Sequence, residues 1–270
     1  DDADGVHFLV MEYVDGRDVS ELLRTYGPLT VPQAVDCVMQ AAGGLAYAHG
    51  SDIVHRDIKP SNLLVDRQGV VKILDMGLAR FQAETHAVAA TRELTVSGQI
   101  MGTVDYMAPE QAENTRTADA RADIYSLGCS LYRVLANQAI YPGEAMLSTL
   151  LKHREAPIPS LRSVRADVTP ELDAIFQKMV AKLPEDRYQS MEEVIDALAS
   201  LDIETAGSLA NLDAPESARS SVTLIRSAEM QTSELVSSGS VDTQTSHAPP
   251  RASDSGFAPT IAHTPSATPA

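Results

Sequence analysis

The spacing of apolar residues switches along the chain between a strand-like and a helix-like pattern. A mostly apolar run at 7–14 predicts an opening strand. Apolar residues at helical spacing then predict two helices, over 18–26 and 31–49. Thr30 is suited to cap the second helix and Gly50 to end it, so this part of the chain is predicted to run from a strand into a pair of helices.

Two short apolar runs follow, at 63–65 and 70–74. Turn-forming residues at 66–69 lie between them, so the pattern predicts a β-hairpin with its tip at this turn. Residues 80–105 lack any periodicity and predict a long loop.

The chain beyond this loop has a helical pattern. Helices are predicted over 124–136, 144–153, 170–182 and 191–201. A small sheet followed by a helical bundle indicates a mainly α (α+β) fold. No repeat with the period of a solenoid or propeller is present in the sequence.

Composition changes near residue 203. The segment 203–270 contains three Arg, no Lys and seven acidic residues, with Phe257 as its only aromatic residue, among many Ser, Thr, Ala and Pro. Such a segment buries too little apolar surface to offset the entropy of ordering it, so a disordered tail is predicted. Its Ser and Thr residues either solvate a linker or form a region that phosphorylation regulates.

The rest of the chain is acidic. Residues 1–202 carry 18 basic and 30 acidic side chains, a net charge of −12. A folded part with this charge is a poor candidate for binding nucleic acid. Cys37 and Cys129 each lie in an apolar helical pattern, which favours buried reduced thiols and a reducing compartment.

Membrane spans and metal sites are not indicated by the sequence. No window approaches the ~18 consecutive apolar residues that a spanning helix needs. His49, His86 and His153 lie far apart along the chain. They are expected at helix ends or on the surface, and no zinc site is predicted.

The strongest chemical signal is the segment 55–62, which reads HRDIKPSN. Beginning at His55, the segment resembles the catalytic loop of eukaryotic-type serine/threonine protein kinases at every defining position. Phosphoryl transfer from ATP, the reaction that this resemblance implies, needs a carboxylate for the attacking hydroxyl, a cation near the moving group and an oxygen ligand for magnesium. Asp57, Lys59 and Asn62 would supply these groups in that order.

A second polar segment, Asp75-Met76-Gly77, ends the apolar run of the predicted hairpin. It resembles the Asp-Phe-Gly segment of the same family. The resemblance implies that Asp75 binds the magnesium ions that bridge the ATP phosphates and that Gly77 allows a sharp turn. Met76 stands where the family has phenylalanine, and since that side chain packs and does not bind metal, the change bears on conformational control.

Three further segments extend the resemblance. They are GTVDYMAPE at 102–110, DIYSLG at 123–128 and PEDR at 184–187. The resemblance implies that Thr103 bonds the catalytic aspartate and lysine. It also implies that Asp123 caps the backbone of the catalytic loop and that Arg187 pairs with Glu110 beneath the activation segment.

The beginning of the chain resembles the nucleotide-binding hinge of the family. Met11 corresponds to the gatekeeper, and Glu12 to Val14 correspond to the hinge whose backbone bonds adenine. Asp18 matches a ribose-binding carboxylate, and Leu64 matches the apolar floor beneath the base. Half of a nucleotide site is therefore expected in this chain.

The resemblance implies a protein-kinase-like C-lobe at 15–202, a residual N-lobe strand and hinge at 1–14, and the tail at 203–270. ATP and Mg²⁺ are the implied cofactors, and Ser or Thr hydroxyls of proteins are the implied acceptors. The glycine-rich loop, the phosphate-binding lysine and its glutamate partner would all precede Asp1. The chain is accordingly expected to be a fragment with little activity of its own, and the activity is attributed to the intact parent.

The activation segment, 75–110, contains Thr91, Thr95 and Ser97 as sites for regulatory phosphorylation. Because Arg56 precedes the catalytic aspartate, a phosphate there could pair with it and order the loop. Autophosphorylation at Thr95 or Ser97, through self-association, is the resulting hypothesis.

Two alternatives to a protein kinase stay open on the residues alone. The first is a pseudokinase or scaffold that acts by binding partners. The second is a small-molecule phosphotransferase, which the Ala-Pro-Glu segment at 108–110 and the long activation loop disfavour. The chain resembles bacterial receptor-like kinases, which implies a cytoplasmic location and membrane attachment only through a helix beyond Ala270.

Overall fold

The structure is a computed structural model that describes part of the chain. The described residues are the backbone of 2–3 and 6–7, together with 12–75, 103–114, 118–143, 145–203, 209–210 and 212. The regular elements are β1 (Asp2–Ala3), β2 (Val6–His7), β3 (Gly16–Asp18), α1 (Val19–Tyr26), α2 (Val31–His49), β4 (Leu63–Asp66), β5 (Val71–Ile73), α3 (Pro109–Glu113), α4 (Ala120–Ala136), α5 (Met146–Glu155), α6 (Pro170–Met179) and α7 (Met191–Ala199). Short 3₁₀ helices lie at Pro60–Asn62, Val104–Tyr106, Leu161–Ser163 and Pro184–Asp186. The predicted mainly α (α+β) fold is confirmed.

A three-stranded antiparallel sheet has the strand order β3, β4, β5. Leu63 lies opposite Ile73 and Val65 opposite Val71, which confirms the predicted hairpin. The third strand, β3, was not predicted, because Gly-Arg-Asp has no apolar alternation. It becomes a strand only because it pairs with β4, with Asp18 opposite Leu64.

The opening strand is shorter than its prediction over 7–14. β2 ends at His7 and pairs with β1, whereas residues 12–15 form neither helix nor strand. Residues 8–11 lie outside the described residues. An apolar run continues as a strand only where a neighbouring strand takes up its backbone hydrogen bonds, and for this reason the prediction was wrong at 12–14.

All six predicted helices are present, with shifted ends in most cases. α2 has the predicted bounds, and Thr30 and Gln33 form a reciprocal capping box at its start. α4 begins four residues before the prediction because Asp119 caps it by accepting from the backbone of Arg121. α3 was missed, since five residues are too few to display a helical period.

The buried core is centred on α2 and α4, which pack against each other. α4 is buried on all sides, from Ala122 to Leu135, as expected of a helix surrounded by other elements. Gly128 lies where α4 meets the end of α6, and a Cβ there would approach Val180 Cγ1 to 2.6 Å. The glycine therefore allows the two helices to pack closely.

Two leucines beyond the last helix also reach the core. Leu209 is 1% exposed and Leu212 is 9% exposed, and both belong to the main hydrophobic cluster. They lie inside the segment predicted to be a disordered tail from 203 onward. Their neighbours in sequence are mostly polar or small, so the composition of the segment gave no sign that these two side chains are buried. The boundary at 202 and the disorder of the rest of the tail stay predictions.

Both cysteines, Cys37 and Cys129, are free and buried. Burial raises the pKa of the Cys37 thiol to about 12, with the nearby carboxylate of Asp36 adding to the effect. The thiols are therefore protonated and serve as small apolar side chains. Among the helices that the structure describes, none combines the length and apolarity needed to cross a membrane.

His153 lies in the last turn of α5, a helix end as expected, and is fully buried. Its Nδ1 lies 2.8 Å from the hydroxyl of Tyr125, and Lys182 donates to its backbone oxygen at 2.7 Å. Burial, followed by the positive charge of Lys182, lowers the pKa of His153 to about 4. The imidazole is neutral at physiological pH.

Arg187 is another buried polar group, and it joins three parts of the chain. Its guanidinium binds both carboxylate oxygens of Glu110, at 2.7 and 2.8 Å. It also donates to the backbone oxygens of Ala181, Arg121 and Lys182. The planar group thereby fastens α3 to the start of α4 and to the segment after α6.

Replacing Arg187 with alanine is expected to lower the free energy of unfolding by about 3–5 kcal/mol, because Glu110 and three backbone carbonyls lose their donor. Arg187→Lys is expected to restore only part of this loss, since an ammonium group cannot reproduce the two-pronged contact. Denaturant unfolding measures both values. The control is Arg154→Ala, which breaks an exposed pair with Glu155 and should leave the midpoint unchanged; an equal effect of both alanine variants would contradict a stabilising role for the buried pair.

Stability is expected to fall as the pH drops from about 6.5 to about 4. In this window the unfolded chain protonates His153 while the folded protein does not, so protons favour unfolding. The contribution of this residue is on the order of 2–3 kcal/mol. His153→Asn keeps a polar atom near the position of Nδ1 but does not titrate, so its unfolding midpoint should depend less on pH than that of the wild type. Parallel pH profiles of the two proteins would count against a role for this histidine.

Candidate active site

The segment 55–62 lies between the end of α2 and the start of β4, at the edge of the sheet. Its last three residues form the 3₁₀ helix Pro60–Asn62. Arg56 has a φ of +65°, in the left-handed region that non-glycine residues seldom adopt. Surrounding contacts must hold this conformation, and such strain is typical of functional loops.

A lysine bridges the centre of the loop and the segment that precedes α3. Lys59 Nζ lies 3.0 and 2.8 Å from the two carboxylate oxygens of Asp57. The same nitrogen donates to Thr103 Oγ1 at 3.0 Å, although Thr103 lies 44 positions further along the chain. Three residues that the sequence predicted to act together therefore meet at one ammonium group.

Asn62 lies on the other side of Asp57. Its Nδ2 donates to the backbone oxygen of Asp57 at 2.7 Å and to Asp57 Oδ2 at 3.1 Å. Since these contacts use the amide nitrogen, the amide oxygen of Asn62 is the atom available to bind a hard cation.

His55 connects this loop to the end of β5. Its Nε2 lies 2.8 Å from the backbone oxygen of Leu74, and its Nδ1 accepts from the backbone N–H of Asp57 at 3.2 Å. Leu74 also donates to the backbone oxygen of Asn62 at 2.9 Å. Asp75 follows Leu74 directly, has a φ of +59° and is exposed.

The carboxylate of Asp123 anchors the loop from below. It is fully buried and accepts from the backbone N–H groups of His55 and Arg56, at 2.8 and 2.7 Å. His49 Nε2 approaches the same carboxylate at 2.8 Å. These contacts hold the two residues before Asp57, including Arg56 with its positive φ.

Two residues of this framework were missed by sequence reasoning. His49 was expected at a helix end, where it lies, but its contact with Asp123 was not expected. Gln111 of α3 is buried and donates from Nε2 to the backbone oxygen of Arg56 at 2.6 Å. Both partners are distant in sequence, so no local pattern signals either contact.

The side chain of Arg56 reaches toward the start of α4. Its Nη2 donates weakly to the backbone oxygen of Ala118, at 3.3 Å, and its buried Nε has no hydrogen-bond partner among the described residues. The guanidinium thus retains a donor that an incoming acceptor could use.

The residues predicted for the nucleotide hinge lie around the sheet. Asp18, Leu64 and Lys72 are directly opposite one another on β3, β4 and β5, and so share one face. Lys72 also pairs with Glu12 at 2.7 Å, and Val14 is half-buried. The carboxylate of Asp18 caps α1 by accepting from the backbone of Glu21 at 2.9 Å.

Several predicted residues lie outside the described residues. They are Met11, Met76, Gly77, Thr91, Thr95 and Ser97. Their predicted roles stay predictions.

The arrangement suits transfer to a hydroxyl group. The Asp57 carboxylate lies within hydrogen-bond distance of the Lys59 ammonium group and of the Asn62 amide nitrogen. No group of three or more His, Cys, Asp or Glu side chains in the described ranges could hold a metal ion.

Comparison with known proteins agrees with this geometry. The protein kinase domain family matches residues 2–197. The chain is 39% identical over 188 residues to serine/threonine-protein kinase PknB of Mycolicibacterium smegmatis, covering 69% of this chain and 29% of that protein. It is 37% identical over 212 residues to the probable serine/threonine-protein kinase SCO3848 of Streptomyces coelicolor, covering 77% of this chain and 30% of that one. It is 35% identical over 203 residues to serine/threonine-protein kinase PrkC of Bacillus subtilis, covering 75% of this chain and 29% of that protein.

The chain thus spans less than a third of the length of these relatives. Within that span, the family match covers most of the chain. The chain belongs to the protein kinase domain family, among the eukaryotic-type serine/threonine kinases found in bacteria.

Proposed function

We propose that the full-length protein transfers the γ-phosphoryl group of ATP to serine or threonine hydroxyls of proteins. The observation that carries the proposal is the contact of Lys59 with both Asp57 and Thr103. A cation, a carboxylate and a hydroxyl-bearing side chain are held together where an acceptor hydroxyl and a phosphoryl group would meet.

Asp57 receives the proton of the acceptor hydroxyl in this proposal. The hydroxyl oxygen forms a bond to the γ-phosphorus while the bond from that phosphorus to the bridging oxygen breaks, and ADP leaves. Lys59 is already next to Asp57, so its positive charge is in place to stabilise the negative charge on the moving group. Asp57 and Lys59 are the proposed catalytic residues.

The proposed magnesium ligands are Asn62 and Asp75. The amide nitrogen of Asn62 is committed to Asp57, which directs the oxygen to a cation, and the exposed carboxylate of Asp75 is a second hard ligand. When bound with ATP, magnesium would neutralise phosphate charge. The donors present fit a cation that completes its coordination with phosphate oxygens and water.

The proposed nucleotide-contact residues lie on the sheet side of this site. Glu12 and Val14 supply hinge backbone, Leu64 supplies apolar surface, and Asp18 supplies a carboxylate on the same face as Leu64. The cap contact of Asp18 uses one oxygen, which leaves the other available for a ribose hydroxyl. Met11 is added to these nucleotide-contact residues on the basis of the sequence resemblance alone.

Regulation by phosphorylation of Thr95 or Ser97 remains part of the proposal. Arg56 supports it, because its Nε has no hydrogen-bond partner among the described residues, and a guanidinium that already contacts the backbone oxygen of Ala118 loses little entropy when it binds a phosphate. The free buried thiols of Cys37 and Cys129 agree with action in the reducing cytoplasm.

Asp57→Asn is expected to lower kcat for protein phosphorylation by about 10²–10⁴-fold, because the amide cannot accept the proton. The dissociation constant for Mg-ATP should change little, since the proposed ligands Asn62 and Asp75 are retained.

The value of kcat is measured by radiolabelled phosphate transfer to a generic basic protein and to the protein itself. A parallel nucleotide-binding titration measures the dissociation constant. Asp167→Asn, at an exposed pair, is the control. Equal labelling of wild type and Asp57→Asn would overturn the enzyme assignment, and nucleotide binding without transfer in the wild type would favour a binding scaffold.

His49→Ala should lower both kcat and stability, because the buried Asp123 carboxylate loses one of its three donors. The expected loss in the free energy of unfolding is about 1.5–3 kcal/mol, typical of a hydrogen bond to a charged group. His49→Gln retains a donor near the position of Nε2 and should recover most of both quantities. If the alanine and glutamine variants behave alike in thermal unfolding and in the transfer assay, the contact with Asp123 has no positioning role.

A further inference from the structure

The chain continues to pack after the last helix has ended. Ile203 is half-buried against the core, and Leu209 and Leu212 are buried. These last two residues, called the docking leucines below, lie beyond residue 197, where the family match ends. They therefore add to the catalytic domain a contact that the family match does not include.

The backbone beside the docking leucines lies against the turn of the β4–β5 hairpin. A Cβ placed on Gly69 would lie 2.6 Å from the backbone nitrogen of Ala210 and 2.9 Å from the carbonyl carbon of Leu209. Gly69 also has a φ of +83°. A glycine is required at this turn both for the conformation and for the close approach of the later segment.

The same turn is fastened from the other side by α2. Gln40 donates from Nε2 to the backbone oxygen of Gly69 at 3.0 Å and accepts from the backbone N–H of Val71 at 2.9 Å. The turn is thus held between a helix of the core and the segment that carries the docking leucines.

The two strands that leave this turn lead to the proposed metal ligands. β4 begins directly after Asn62, and β5 ends at Ile73, two residues before Asp75. The backbone bond from Leu74 to Asn62 closes the hairpin at the site end. A hairpin only three to four residues long transmits displacement from one end to the other, because its backbone bonds leave few independent torsions.

We propose that the tip of the β4–β5 hairpin is an intramolecular docking surface for the segment that carries Leu209 and Leu212, and that its docking keeps Asn62 and Asp75 in register. The occupant is the chain's own segment, since its backbone lies so close to the tip that it leaves no room for a side chain at Gly69, while its two leucines are buried in the core. The docking leucines are positioning residues that act through the hairpin, and the effect on magnesium rests on the proposed function.

The test uses the full-length protein with Leu209→Asp, which places a charge in the buried contact. Hydrogen exchange of the Val71 and Leu74 amides, followed by NMR, is expected to become about tenfold faster or more, whereas the amides of α6 change by less than about twofold. Leu209→Met should exchange like the wild type, and Leu224→Asp makes the same chemical change later in the chain as a matched control.

Unchanged amide exchange in the hairpin would overturn the docking proposal. So would an equal acceleration of exchange in α6, because that result means a general loss of stability. In the transfer assay, Leu209→Asp should also raise the magnesium concentration for half-maximal activity by about tenfold, as when an outer support of a metal ligand is removed. Faster hairpin exchange with an unchanged magnesium requirement would overturn the link to the site. Wild-type protein that transfers no phosphate would refute the proposed function instead, while the exchange comparison would still decide the docking.

Discussion

A buried carboxylate holds the rest of the site in place. Asp123 accepts from two successive backbone N–H groups and from His49, and one of those backbone groups belongs to Arg56, whose positive φ is unfavourable by itself. A carboxylate with no exposure is costly unless its oxygens are fully hydrogen-bonded. The loop and the carboxylate therefore stabilise each other, and Asp57 occupies its position because the two residues before it are fixed.

Further contacts connect the loop that Asp123 holds to the sheet and to the helices. His55 links the loop to the end of β5, and Lys59 links it to Thr103 ahead of α3. Gln111 and the Glu110–Arg187 pair then secure α3 to the helical core. The same short helix thus contacts the segment 55–62 through one residue and the buried guanidinium through its neighbour, which ties that segment to the helical core.

A second group of polar side chains is buried away from the loop. His153, Tyr125 and Lys182 form a buried cluster, and the ring of Tyr125 lies 4.8 Å from the Arg187 guanidinium. Burial keeps the imidazole neutral, so the cluster avoids a third positive charge beside those of Arg187 and Lys182. The titratable side chains of this cluster are buried, whereas Asp57 and Lys59 at the loop are partly exposed.

The sequence by itself determined the family, the hairpin and every described α-helix except α3, because these depend on local periodicity, caps and short motifs. Tertiary structure alone decided the β3 strand, the end of the opening strand, the burial of His153, and the contacts of His49 and Gln111. It also decided that Leu209 and Leu212 pack on the domain. Each of these features depends on contact with a residue that is distant in sequence. Local helix or strand propensity does not specify which distant residue will make that contact.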